Sequence, residues 1–158
     1  MKKTIEIKKS SMFSQDYVAL YKRKIIAEFS RSFWTQKAEL ICDGRTFTFK
    51  RSGTLKSIFQ LCESESVVFE VVQPSALKTK LSFSYEDTDY ELANQAWHSL
   101  NQVIRTRDKV IGSVKSRGII ASGAIVELSK DLPLAICVFL GWVTMVRWDD
   151  ATHAAAAG

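Results

Sequence analysis

The hydrophobic pattern changes character once along the chain. Before about residue 128 apolar and polar positions alternate in short runs; from Leu132 to Val146 alternation stops, and Thr144 is the one clearly polar side chain. A period of two marks half-buried strands. Thr4-Ile-Glu-Ile-Lys8 has it. Ala38 to Cys42, then Asp43-Gly44, then Arg45 to Arg51 reads as a hairpin, because Asp-Gly readily takes the left-handed pair that a two-residue turn needs. Phe47 and Phe49 share one face of its second arm. Strand-like runs continue at Leu55 to Leu61, Val67 to Val72, and Lys78 to Tyr85, where Leu81, Phe83 and Tyr85 point inward. They resume at Tyr90 to Leu92, Trp97 to Val103, Lys109 to Lys115 and Ile119 to Leu128. Polar breaks at Ser52 to Thr54, Cys62 to Ser66, Gln73 to Ser75, Glu86 to Asp89, Arg105 to Asp108 and Arg117-Gly118 separate them. In the run from Lys109, Val110, Gly112 and Val114 fall on one face, and Gly112 suits a bulge or a close backbone approach.

Residues 16–29 allow two readings. Tyr17, Tyr21, Ile25 and Phe29 recur at steps of four, which suits a helix capped by Asp16; the β-branched and aromatic content suits one or two strands.

The run from Leu132 reads as a helix. Asp131 serves as N-cap, Pro133 sits in the first turn, and Arg147 places a cation at the negative end of the dipole. A helix apolar on every side is surrounded by protein or by lipid. Fifteen residues give about 22 Å, short of the hydrocarbon thickness of about 30 Å. A tail-anchored protein is the alternative, with Trp142 and Trp148 at an interface. Enclosure by protein explains more. Many short strands need closure to remove their edges, and a wide barrel needs something to fill it. The expected fold is mainly β: a closed antiparallel barrel of about ten to twelve short strands around a buried C-terminal apolar helix. One domain spans 1–150 with its central helix over 132–148, and 151–158 forms a disordered tail.

Composition adds three constraints. The 158 residues suit one domain with a sizeable core. The N-terminal residues lack the apolar stretch of a secretory signal. Three cysteines, Cys42, Cys62 and Cys137, fit no metal spacing and point to reduced thiols in the cytoplasm. Charge is uneven: residues 1–60 carry 13 Lys and Arg against 5 Asp and Glu, a net of +8, while the remainder nets −3.

The succession of short strands, Tyr90-Glu-Leu92, Trp97, Val110-Ile-Gly-Ser-Val114, and Val126-Glu-Leu128 leading into Asp131-Leu-Pro-Leu and a helix ending Arg147-Trp148 resembles the tubby C-terminal-like superfamily. That superfamily includes tubby domains, phospholipid scramblases and the plant LURP-one-related proteins, and the chain is most similar to its small uncharacterised bacterial members. The resemblance covers residues 15–148. It implies a barrel of about twelve strands around a buried helix, and a relation to lipid. Tubby domains bind phosphoinositides through a basic patch, but no stretch here matches that site residue by residue. Scramblases have an acidic calcium-binding segment and a cysteine-rich segment; Glu86 to Asp89 reads as a turn, and no cysteine-rich run exists.

Catalytic chemistry is not legible. His98 stands beside Trp97 in a strand-like run and His153 in the tail, and no nucleophile–base, phosphate-loop or metal motif is present. The expectation is a protein that is not an enzyme and holds no cofactor or metal. Its candidate site is cationic: Lys22, Arg23 and Lys24 with Lys50 and Arg51, and Lys56 nearby, set to meet anionic phospholipid or a membrane surface. Nucleic acid is a weaker fit, for want of an aromatic-basic RNA motif. That places the protein in the cytoplasm, peripheral to the membrane. The competing reading is a protein-interaction or structural module with scattered surface charges.

Overall fold

The structure is a computed structural model. It describes residues 2–10, 16–32, 37–52, 57–74, 80–96, 100–117 and 123–157, without the side chains of 31, 32, 37 and 151–157. Twelve strands and one helix follow in chain order: β1 Lys3–Lys9, β2 Asp16–Tyr21, β3 Lys24–Ser32, β4 Lys37–Cys42, β5 Arg45–Ser52, β6 Ile58–Glu63, β7 Ser66–Val72, β8 Leu81–Tyr85, β9 Thr88–Asn94, β10 Gln102–Thr106, β11 Lys109–Ser116, β12 Gly123–Leu128 and α1 Leu134–Ala157. Each strand pairs antiparallel with its chain neighbours, and β1 closes the barrel against β12 through Lys3↔Leu128 to Lys8↔Gly123. The barrel around an apolar helix is therefore the architecture the alternation predicts. Ser52 to Thr54, Gln73 to Ser75, Trp97, His98 and Gly118 touch or fall in segments outside the described residues.

Residues 16–29 are strands, not a helix. The four-residue spacing is not one periodicity. Tyr17 to Tyr21 is two strand steps, and Tyr21 to Ile25 crosses the Lys22-Arg23 turn. Ile25 is exposed while Phe29 is buried, because the register shifts between them. Tyr17 and Ala19 point inward on β2, Ala27 and Phe29 on β3. The helix is longer than 132–148. Its backbone runs to Ala157, not into a disordered tail, and the four alanines at 154–157 have the strongest intrinsic helix preference. Asp131 is not its N-cap. The Pro133 carbonyl accepts the first helical bond from Cys137 N–H (3.1 Å), while Asp131 accepts from Lys3 Nζ at 2.9 Å.

From Ile136 to Val146 every side of α1 faces core. Phe139 packs against Phe49, Phe69 and Trp142, and Trp142 reaches Phe59. These rings fill the wide side of the barrel. On the narrow side a Cβ at Gly141 would collide with the end of Ile7, so the missing side chain lets the helix lean on β1 and β12. Thr144 Oγ1 donates to the Leu140 carbonyl at 2.9 Å, and Trp148 Nε1 to the Leu100 carbonyl at 2.6 Å. Trp142 and Trp148 are buried, not interfacial. Among the described residues no helix is long and apolar enough to cross a membrane.

A repeat underlies the barrel. Five two-residue turns, Lys22-Arg23, Asp43-Gly44, Ser64-Glu65, Glu86-Asp87 and Arg107-Asp108, have positive φ at both residues and recur every 21 or 22 positions. Such mirror-image turns match the right-handed twist of the strands they join. All five lie at the barrel end where α1 begins. Every second hairpin also carries a β-bulge at the third residue after its turn: Ile26, Val68 and Ile111. The bulge corrects the face assignment in β11. The extra residue shifts the phase, so Ile111 and Val114 point inward while Val110 is exposed. Gly112 makes the close approach, since a Cβ there would overlap the Glu127 carbonyl oxygen. One seam departs from the pattern: β7 and β8 pair only through Val71↔Phe83 and Val72↔Ser82.

If the aromatic cluster around α1 holds the fold, Phe139→Ala lowers unfolding stability in urea by about 3–5 kcal/mol. Phe139→Asp, an unpaired buried charge, yields no folded protein; a Phe139→Asp variant of wild-type stability overturns this account.

Candidate functional site

The topology separates the five candidate cations. Lys22 and Arg23 form the left-handed turn between β2 and β3, and Lys24 starts β3; all three are exposed. The Lys22 ammonium stands 5.4 Å from the Tyr21 ring centre, and among the described residues none of the three is in an ion pair. Lys50 lies elsewhere. It is in register with Lys37, which is in register with Ser32, eight residues along β3 from Lys24. That is about 26 Å of strand, so Lys50 belongs to the opposite end.

Arg51 is part of the framework. Its guanidinium meets the Asp150 carboxylate at 2.6 Å, donates to Ser57 Oγ at 2.8 and 3.2 Å, and lies 5.2 Å from the Phe59 ring centre. The side chain is 15 % exposed. It ties β5 to the C-terminal half of α1. Next to it, burial and then the Arg51 charge push the Arg147 pKa down, and Asp150 partly offsets both. Lys56 and His98 are outside the described residues, as is the side chain of His153.

The turn end has cations that sequence reasoning did not gather. Because β1 closes on β12, Lys2 and Lys130 stand beside the β2–β3 turn in the order around the barrel. Lys2 pairs with Glu127 at 2.9 Å, and Lys130 lies over the Tyr90 ring. Across the same rim, Glu63, Glu65, Glu86, Asp87 and Asp89 form an acidic side, where Arg45 bridges to Glu63. The rim is thus two-signed, and its basic side centres on Lys22, Arg23 and Lys24.

Nucleophile chemistry has little support. Cys42, Cys62 and Cys137 are free and buried. Burial pushes the Cys137 thiol up to about 12; burial, then the neighbouring Asp43, raises that of Cys42. Neither is activated towards thiolate. Among the described residues no three His, Cys, Asp or Glu side chains gather to hold a metal ion.

The fold and rim define a helix-filled antiparallel barrel with one basic and one acidic side at its turn end. Comparison with protein families, curated proteins and solved structures finds no match to the chain.

Two outcomes follow. Arg51→Gln lowers unfolding stability by about 1–2 kcal/mol, measured in urea, and leaves any vesicle binding unchanged. For Cys137, a folded-state pKa raised from 9.0 to about 12 means its contribution is complete below pH 9 and is lost as pH rises towards 12. The slope is at most about 1.4 kcal/mol per pH unit. Urea midpoints across that range fall less steeply in Cys137→Ala; equal slopes refute the assignment.

Proposed function

We propose that this protein is a non-enzymatic binding module that meets anionic phospholipid head groups with the turn end of its barrel. The observation that carries this reading is the β2–β3 turn: three consecutive exposed cations, Lys22, Arg23 and Lys24, held on a tight left-handed turn without carboxylate partners among the described residues. Lys2, paired with Glu127, and Lys130, whose ammonium lies over the β9 ring of Tyr90, add no free charge to it. Lys50, at the other end, and Arg51, engaged by Asp150, are not part of this surface. Each cation near an anionic surface contributes about 1 kcal/mol. The reading takes the chain as tubby-like, working in the cytoplasm at the membrane periphery, and agrees in kind with the lipid relation that the resemblance implies. A protein-interaction module is the second reading, favoured by the splayed β7–β8 seam and the acidic side of the rim.

Vesicle co-sedimentation tests it. Phosphatidylcholine vesicles containing phosphatidylserine pellet the protein, pure phosphatidylcholine does not, and binding fades as the Debye length falls from about 10 Å at 0.1 M salt to about 3 Å at 1 M. The combined change Lys22→Glu, Arg23→Glu and Lys24→Glu weakens binding about a hundredfold or more, whereas Lys50→Glu leaves it intact. Equal pelleting by the two vesicle types, or a triple variant that binds like wild type, removes the proposal.

A further inference from the structure

The β7–β8 seam stands out against the two places the barrel repeats it. In each bulged hairpin the strand after the turn pairs onward with the next strand. On β3 the residue following the bulge pairs at once, Ala27↔Cys42, and on β11 likewise, Gly112↔Leu128. On β7 the register set by Val71↔Phe83 would bring Phe69 opposite Tyr85 and Glu70 opposite Ser84, and neither pair forms. The residues explain the difference. Ala27 and Gly112 permit close approach, whereas Phe69 and Tyr85 bring two rings to one inward position. The Phe69 ring is already held edge-on by Phe83 at 5.5 Å and Phe139 at 5.8 Å. The bulge differs too: Ile26 and Ile111 tuck towards the core, but Val68 is 51 % exposed, as is its neighbour Val67 at 50 %.

A shallow surface cleft of about 570 Å³ runs along these two strands. Hollows of about 540 and 510 Å³ lie over the paired β2–β4 and β8–β10 walls, so the missing ladder, not the hollow, sets this seam apart. Elsewhere at the turn end comparable gaps are bridged. Arg45 reaches Glu63 across β5 and β6, and Thr106 Oγ1 donates to the Asp89 carbonyl across β9 and β10 at 2.9 Å. Among the described residues no side-chain hydrogen bond or ion pair bridges β7 to β8. The β5–β6 and β9–β10 ladders also stop short of the turn end but are tied there by these side chains; β7–β8 stops after two pairs and has no such tie, so more of its strand edge is left unpaired.

We infer that the β7–β8 seam accepts an extended, Lys- or Arg-bearing peptide segment of a partner protein by β-strand addition. Main-chain groups supply affinity, and alternate side chains supply specificity. Val67 and Val68 offer apolar contact at the mouth. Glu70 and Glu86 line the cleft, and Glu65 and Asp87 flank it, all exposed. Four carboxylates disfavour phosphate-bearing ligands, lipid or nucleic acid, and complement cationic side chains. The competing role for the same carboxylates is to keep strand edges of other molecules away, and the test separates the two.

The probe is a fluorescent heptapeptide of alternating Lys and Val, titrated against the full chain by anisotropy. Comparison peptides are its Glu–Val counterpart and a copy with N-methylated backbone amides. The Lys–Val peptide binds, the other two do not, and hydrogen exchange slows at residues 67–70 and 84–86. The combined change Glu70→Lys and Glu86→Lys, both on the surface, weakens binding about tenfold or more with unchanged thermal unfolding. No binding, equal binding of the Lys and Glu peptides, equal binding of the methylated copy, or protection elsewhere overturns the inference. If residues 67–70 are instead protected in the free protein in proportion to its concentration, the occupant is a second copy and the inference is wrong in its partner. Because vesicle binding is read at Lys22, Arg23 and Lys24, failure of either experiment leaves the other standing.

Discussion

The constraint on which the rest depends is the burial of a helix with no polar face. A helix of this kind leaves no side that can meet water, so the chain must enclose it completely. Twelve strands do so around its apolar stretch, Ile136 to Val146, and the lining is graded to the task. The narrow side, where β1 and β12 approach Gly141, carries Ile5, Ile7, Ala124 and Val126, while the wide side is filled by Phe49, Phe59, Phe69, Phe139 and Trp142. The two ends of α1 are then fixed by polar ties. Lys3 bonds Asp131 and the Leu132 carbonyl at one end, and Arg51 bonds Asp150 near the other. Cations that look available in the sequence are taken up by this enclosure.

Closure also explains the turns. Four of the five left-handed pairs contain no glycine, and a left-handed residue with a side chain costs about 1–2 kcal/mol. Strand pairing on either side holds each pair in place, and the mirror-image turn supplies the twist the barrel requires. The other strand-to-strand connections join strand ends at the opposite end, so the turn end is a compact rim on which charge is displayed at set positions. Its basic and acidic sides follow from strand order, with the β2–β3 turn next to the closing seam and the acidic turns across from it.

Repetition makes the irregular seam informative. Three hairpins share the same bulge and the same pair of β-branched residues after the turn, Ile25-Ile26, Val67-Val68 and Val110-Ile111. Two of the following seams close, and the third is wedged by Phe69 and Tyr85. A single change of side-chain size after the bulge, from Ala or Gly to Phe, accompanies the change from a sealed wall to one with free strand edge. The two binding surfaces proposed are chemically opposed, cationic on one side of the rim and carboxylate-lined at the seam, and so select different partners.

The sequence by itself determined that short alternating strands surround one apolar helix. Both facts rest on local periodicity: inward positions such as Phe47 and Phe49 recur every second residue, and Leu132 to Val146 has no polar face. Polar breaks located most of the turns for the same reason. What lay between Asp16 and Phe29 was not decidable locally, because a four-residue spacing fits a helical turn and two strand steps equally. Tertiary structure alone decided where charges meet. Lys50 and Arg51 are neighbours in sequence to a hairpin arm, yet strand length carries them to the far end of the barrel from Lys24, and the partner of Arg51 comes from a helix about a hundred residues later. Of the bulges only the one beside Gly112 had a local signal; those at Ile26 and Val68 were invisible, since an extra residue reverses the inward face only once its partner strand is known, and the open seam depends on which residue, Tyr85, the register would set against Phe69.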